Sequence, residues 1–140
     1  MDALQSIYDE IEKIINSEAG EQGHNFEIGK FSGLGWLNFH YTCSTYDGLY
    51  PRIALKRQTN AVHLYVMLWS DGKPILERYT GIFGKTAVGK SCLRIRKLDD
   101  KRKTAIAEIV RLECHEQNAV FDGYAERLHI ATEKAMQSSL

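Results

Sequence analysis

The chain predicts an α+β fold, a two-layer sandwich in which a mainly antiparallel sheet packs on N- and C-terminal helices. Three observations carry that expectation. Residues 3–16, ALQSIYDEIEKIIN, repeat their apolar positions at helical spacing. From about residue 34 to 69 the period changes to two, with aromatic and β-branched residues between turn signals. Helical spacing then returns after Asp99 and Asp100 and runs to the C-terminal part of the chain.

Each element follows from its residues. In the first helix Leu4, Ile7, Tyr8, Ile11, Ile14 and Ile15 fall within one arc, with Asp2, Asp9 and Glu12 opposite. The stretch SEAGEQGHN stops it with glycines and polar residues. Three strands are expected next, GWLNFHYTC, YPRIALKR and AVHLYVMLW, with turns at Asp47-Gly48, at QTN (58–60) and at Asp71-Gly72. PILERYTGIF (74–83) opens on a proline suited to a first helical turn and reads as a short helix. SCLRIRKL alternates as a fourth strand, and Asp99 or Asp100 caps a helix running to about Leu112 with Ile106, Ile109 and Val110 inward. A last amphipathic helix is expected over 118–137, with Val120, Tyr124, Leu128, Ala131 and Ala135 on one side.

At 140 residues, with no linker or internal repeat, the chain reads as one domain over 1–140. Eighteen basic residues balance eighteen acidic ones, so no global field draws in nucleic acid. The balance conceals a polarity along the chain: residues 1–30 hold seven acids against Lys13 and Lys30, whereas residues 85–103 hold eight bases against Asp99 and Asp100. Three widely spaced cysteines, Cys43, Cys92 and Cys114, contain no CxxC pair and argue against a disulfide framework or a zinc knuckle. The longest apolar run is too short to cross a bilayer. A cytoplasmic location with no membrane partner is expected.

The segment GKTAVGKS (84–91) has the letter pattern of a phosphate-gripping loop. Such a loop follows a buried strand and opens a helix, so that backbone N–H groups surround the anion. Here the expected order is reversed, with a helix before and a strand after. The match is therefore read as coincidental, and no enzymatic role is assigned.

Alternation sorts the strands into two sets of side chains. Leu37, Phe39, Tyr41, Ile53, Leu55, Val62, Leu64, Val66, Leu68, Leu93 and Ile95 form an apolar set expected to lie under the helices. The other set mixes rings with bases: Trp36, His40, Arg52, Lys56, His63, Tyr65, Trp69, Lys90, Cys92, Arg94 and Arg96 among them. Arg and Lys supply charge-assisted hydrogen bonds and the rings supply flat apolar surface, a combination suited to a small anionic ligand. The candidate ligand-binding residues are His40, Arg52, Lys56, His63, Tyr65, Trp69, Lys90, Arg94 and Arg96. His40, His63 and Cys92 share this parity and could converge on a metal, and Cys92 beside Lys90 and Arg94 has the surroundings of an activated thiol, though no third orienting group accompanies it. The basic run KSCLRIRKLDDKRK with its nearby rings is compatible with nucleic acid or a protein partner, a reading that neutral charge and the lack of a recognition helix disfavour.

Gly35, His40-Tyr41, Gly48, Pro51-Arg52, Leu64-Tyr65, Gly84-Lys85, GKSC (89–92) and KLDD (97–100) together resemble the small bacterial YdhG-like family over about residues 33–110. Some members of that family are described as frataxin-like iron chaperones. LYPRIALKR is looser than the family's usual serine-proline-arginine-lysine version, and the match does not extend past about residue 113. The resemblance implies the frataxin-like sandwich, iron as a possible cargo, and acids of the first helix as its loose ligands, which here would be Asp2, Asp9 and Glu12. The expected role is a small non-enzymatic binding or carrier protein that hands iron to an acceptor protein, with capture of a small anion on the basic and aromatic sheet face as the alternative.

Overall fold

The structure, a computed structural model, describes residues 2–43 and 46–115. The helix expected over 118–137 lies outside the described residues. The observed architecture is the predicted α+β sandwich: a five-stranded antiparallel sheet carries helices on one face.

Helix α1 (Ala3–Ala19) starts where the Asp2 side chain accepts the Gln5 N–H at 2.8 Å and stops at Gly20, whose φ of 71° releases the chain. Its inward arc is the expected one: Ile7, Ile11 and Ile15 are buried, and Leu4, Tyr8 and Ile14 pack around them. Helix α3 (Asp100–His115) is capped by the Asp99 carboxylate, which accepts the Arg102 N–H at 2.9 Å, and it buries Ala105, Ile106, Ile109 and Val110. The two helices lie side by side. There Lys103 of the basic segment reaches Glu10 of the acidic one at 3.8 Å, and further along the helix Arg111 reaches Glu18 at 2.8 Å.

The sheet runs β1 (His24–Ile28), β2 (Phe31–Cys43), β3 (Tyr46–Arg57), β4 (Val62–Val66) and β7 (Cys92–Ile95), in that spatial order. β1 has no counterpart among the expected strands, because HNFEI offers only two apolar residues and follows directly on a polar, glycine-containing stretch. A tight hairpin through Gly29, at φ 60°, pairs Ile28 with Phe31. Asp47-Gly48 is not a turn but lies inside β3, opposite Thr42 and Tyr41. QTN does join β3 to β4, closed by the Gln58 N–H on the Ala61 carbonyl. Asp71 and Gly72, both at positive φ, form the turn between the two-residue strands β5 (Trp69–Ser70) and β6 (Lys73–Pro74), a ribbon separate from the main sheet. The expected short helix is a 3₁₀ turn (Ile75–Tyr79) continued by α2 (Thr80–Phe83).

Gly33, at φ 153°, crosses β3 so closely that an added Cβ would stand 2.6 Å from the Leu55 carbonyl oxygen. Backbone cannot swing aside as a side chain can. Gly33→Ala is therefore expected to cost ~1–3 kcal/mol through local overpacking, read as a lower midpoint in thermal denaturation followed by circular dichroism.

The predicted apolar set largely forms the core, since Ile53, Leu55, Val62, Leu64, Val66, Leu68, Leu93 and Ile95 are all buried. Trp36 is the first departure from the two-set scheme. Placed on the outer face by alternation, it is wholly buried, and its indole N–H donates to Asn16 of α1 at 2.9 Å. Alternation breaks immediately after it: Leu37 takes φ 57°, its N–H turns to Glu21, and the Leu37–Arg52 position is missing from an otherwise continuous β2–β3 register.

β7 closes one side of the sheet, but its outer rim is covered. The Arg94 N–H donates to Ala87, the Gly89 N–H donates to the Cys92 carbonyl, and Val88 bridges Leu93. The false phosphate loop thus has a structural use. A helix precedes it, a strand follows, and the Ala87 and Gly89 amides are engaged by Gly84 and Cys92 rather than arranged around an anion.

Candidate functional site

Three strands bring Lys56, His63 and Arg94 into one transverse row. Lys56 pairs in register with His63, and His63 with Arg94, so their side chains leave the same face of the sheet. Tyr65, two residues along β4, pairs with Cys92 and receives the Phe31 ring edge-on at 5.0 Å between centroids. His63 Nδ1 lies 3.3 Å from the Tyr65 hydroxyl. Beyond Phe31 the rings continue through Phe26 and through Tyr50 to Phe39 and Tyr41. The face opposite the helices is therefore an aromatic bed with cations beside it. Alternation predicts this for Tyr65, but it assigns Phe39 and Tyr41 to the helix side, and they join the bed through Tyr50 because they lie past the break at Leu37.

The electrostatics follow from the row. Partial burial, reinforced by the positive charges of Arg94, Arg96 and Lys56, holds the His63 imidazole below its ordinary pKa. Burial raises the Tyr65 hydroxyl and the Cys92 thiol. Arg94 favours the Cys92 thiolate, but desolvation outweighs it, so this cysteine lacks the lowered pKa of an activated nucleophile.

The remaining sequence candidates disperse. His40 faces Asp47 and pairs with Leu49, seven residues along β3 from Lys56, which at strand rise is roughly 20 Å from the row. It cannot share a ligand with His63. Arg52 leaves the outer face at the break in alternation and reaches Glu113 of α3 at 3.5 Å. Trp69 stands on the β5–β6 ribbon rather than at the end of β4. Lys90 is exposed in the segment before β7, and Arg96 is exposed just past its end.

The acids named through the family resemblance are already engaged in part. Asp2 caps α1 and binds Arg57 at 2.6 Å, and Asp9 accepts from Gln5 Nε2 at 3.0 Å. Glu12 lies near Tyr8, whose hydroxyl is raised by burial and then by that carboxylate. Among the described residues no group of three or more His, Cys, Asp or Glu side chains is placed to hold a metal ion, and no helix is long and apolar enough to cross a membrane.

Glu113 is absent from the sequence candidates. It is wholly inside the fold, accepting the Leu68 N–H at 3.0 Å while facing Arg52. A signal for it exists, since Glu113 continues the inward Ile106, Ile109, Val110 stripe by one more helical step.

No family model, curated protein or solved structure matches this chain.

Proposed function

We propose that this is a non-enzymatic, cytoplasmic binding protein that holds a small anion on the outer face of its sheet. The observation that carries the reading is the in-register row Lys56, His63 and Arg94 beside the Phe31–Tyr65 ring pair. Three groups able to carry positive charge line one strip of surface with flat apolar area next to it, and the strip sits on paired strands that fix its spacing. Iron carriage, which the YdhG-like and frataxin-like resemblance suggests, would draw on the acids of α1. With Asp2 bound to Arg57, Glu10 to Lys103 and Glu18 to Arg111, much of that charge is already compensated, and anion capture is the better-supported reading.

His63 is the natural reporter. A bound anion favours the imidazolium and raises the depressed pKa, measurable from the imidazole proton shifts as phosphorylated and carboxylated metabolites are titrated in. Silence of His63 and Tyr65 towards every anion tried would remove the reading. The field itself has a separate check: Arg94→Gln takes away the cation that lowers the His63 pKa most and is expected to raise it in the free protein.

A further inference from the structure

Where β7 ends, a cavity of about 200 Å³ opens between its last residues, segment 83–87 and the first turn of α3. Arg94, Arg96, Lys97 and Arg102 line it, with Phe83 and Thr86 among its walls. Four cations converge on one concavity, and the acid nearest in sequence, Asp99, is held by Arg102 and caps the helix. Two of the guanidiniums are oriented by the protein itself: Arg94 donates to the Thr86 carbonyl at 3.3 Å and Arg102 binds the Asp99 carboxylate. Like charges gathered at a hydrated surface are screened by water and salt, a bound counter-anion lowers their repulsion further, and guanidinium forks match the paired oxygens of a phosphate group.

We propose that this cavity is a phosphate seat and that the ligand of the sheet face is a phosphomonoester carrying an aromatic ring, of the nucleoside monophosphate class. The second half of the proposal rests on the anion-binding reading above. Arg94 connects the two places, because it lines the cavity and is also the register partner of His63. Tyr65 is its diagonal neighbour across the β4–β7 pair, roughly 7–8 Å away. A phosphate seated among Arg94, Arg96, Lys97 and Arg102 leaves an attached planar ring within reach of the Tyr65 and His63 surface, where stacking supplies the remaining affinity.

The test uses the isotopically labelled full chain in two titrations. Inorganic phosphate alone is expected to shift the amides of Thr86, Ala87 and residues 94–102, and the Arg96→Gln, Lys97→Gln double variant, altered only at positions outside the core, is expected to weaken it by about tenfold or more. Adenosine monophosphate is expected to bind more tightly than phosphate and to move the Tyr65 and His63 side-chain signals as well. Unmoved edge amides, or unchanged affinity in the double variant, would overturn the seat even if His63 still answered to other anions. Edge shifts with phosphate but an unresponsive Tyr65 and His63 with the mononucleotide would leave the seat standing and overturn the ligand class, while the sheet-face reading falls only if His63 and Tyr65 stay silent towards the other anions as well. Tighter binding of oligothymidylate than of the mononucleotide would assign the phosphate to a nucleic-acid backbone and overturn the small-ligand class.

Discussion

Trp36→Ala is expected to lower stability by ~3–5 kcal/mol, the range for emptying a large aromatic site in a packed core, and to do so without changing the charge of the sheet face. Trp36 is wholly buried beneath α1. It also fills a space that the chain keeps clear for it, because a Cβ on Gly23 would come within 2.6 Å of the indole ring. The indole therefore ties the end of α1, the following segment and β2 together, and Asn16 serves two donors there, the indole N–H and the Gly23 N–H at 3.3 Å. Urea denaturation followed by circular dichroism measures the loss. Asn16→Ala, which removes the acceptor but keeps the ring, should cost less, about 1–3 kcal/mol for the donors left unsatisfied. A Trp36→Ala loss below that of Asn16→Ala would show that the ring is not the anchor.

A second large effect concerns pH. Burial pushes the Glu113 carboxyl up to about 7 from an ordinary 4.5, against the opposing pull of Arg52 and the backbone N–H groups of Leu68 and Met67. A carboxyl whose folded pKa is raised binds its proton more tightly in the native state. Its favourable contribution is therefore complete below about pH 4.5 and disappears as the pH rises through 7. Several groups act in the opposite sense. Asp2 and Asp99, both held below 3.8, contribute stability that is present above that value and lost on acidification, and His63, held below 6.5, disfavours the fold as it protonates. The difference between wild type and Glu113→Gln isolates the one carboxyl. The glutamine side chain is similar in shape and keeps an oxygen for the Leu68 N–H but does not titrate. The Glu113→Gln variant should gain on wild type as pH rises from 5 to 8.5, by on the order of 3 kcal/mol, and the gain should level off above about 8. A difference independent of pH would mean that Glu113 stays in one protonation state throughout.

Trp36 and Glu113 also mark the limits of what the residues disclose in linear order. Where one periodicity runs unbroken, the chain is legible: the α1 isoleucines, the β4 alternation from Val62 to Val66 and the α3 stripe all stand where spacing puts them. The row Lys56, His63 and Arg94 is legible for the same reason, because each belongs to an undistorted stretch. Legibility fails where the backbone leaves its period. A left-handed Leu37 is not written in alternating letters, and it puts Trp36 and Arg52 on the side opposite to the one alternation assigns them. Glu113 escapes notice because charge is ordinarily a sign of exposure, although its helical position points inward. The edge cavity lies beyond linear reading altogether. It needs Thr86, Arg94 and Arg102 from three elements, and only the packing of α3 against the 83–87 segment brings them together.

The segment folded over β7 has a consequence for how these molecules meet one another. An uncovered β7 would display free amides and carbonyls to any passing extended chain and invite it to join as another strand, the first step of fibre growth. Ala87, Val88 and Gly89 already occupy that rim. Sheet-to-sheet recruitment in a concentrated solution is thereby kept from this rim, and on the opposite side β1, which presents Asn25 and Glu27 to solvent, is a short, charged strand and a poor template.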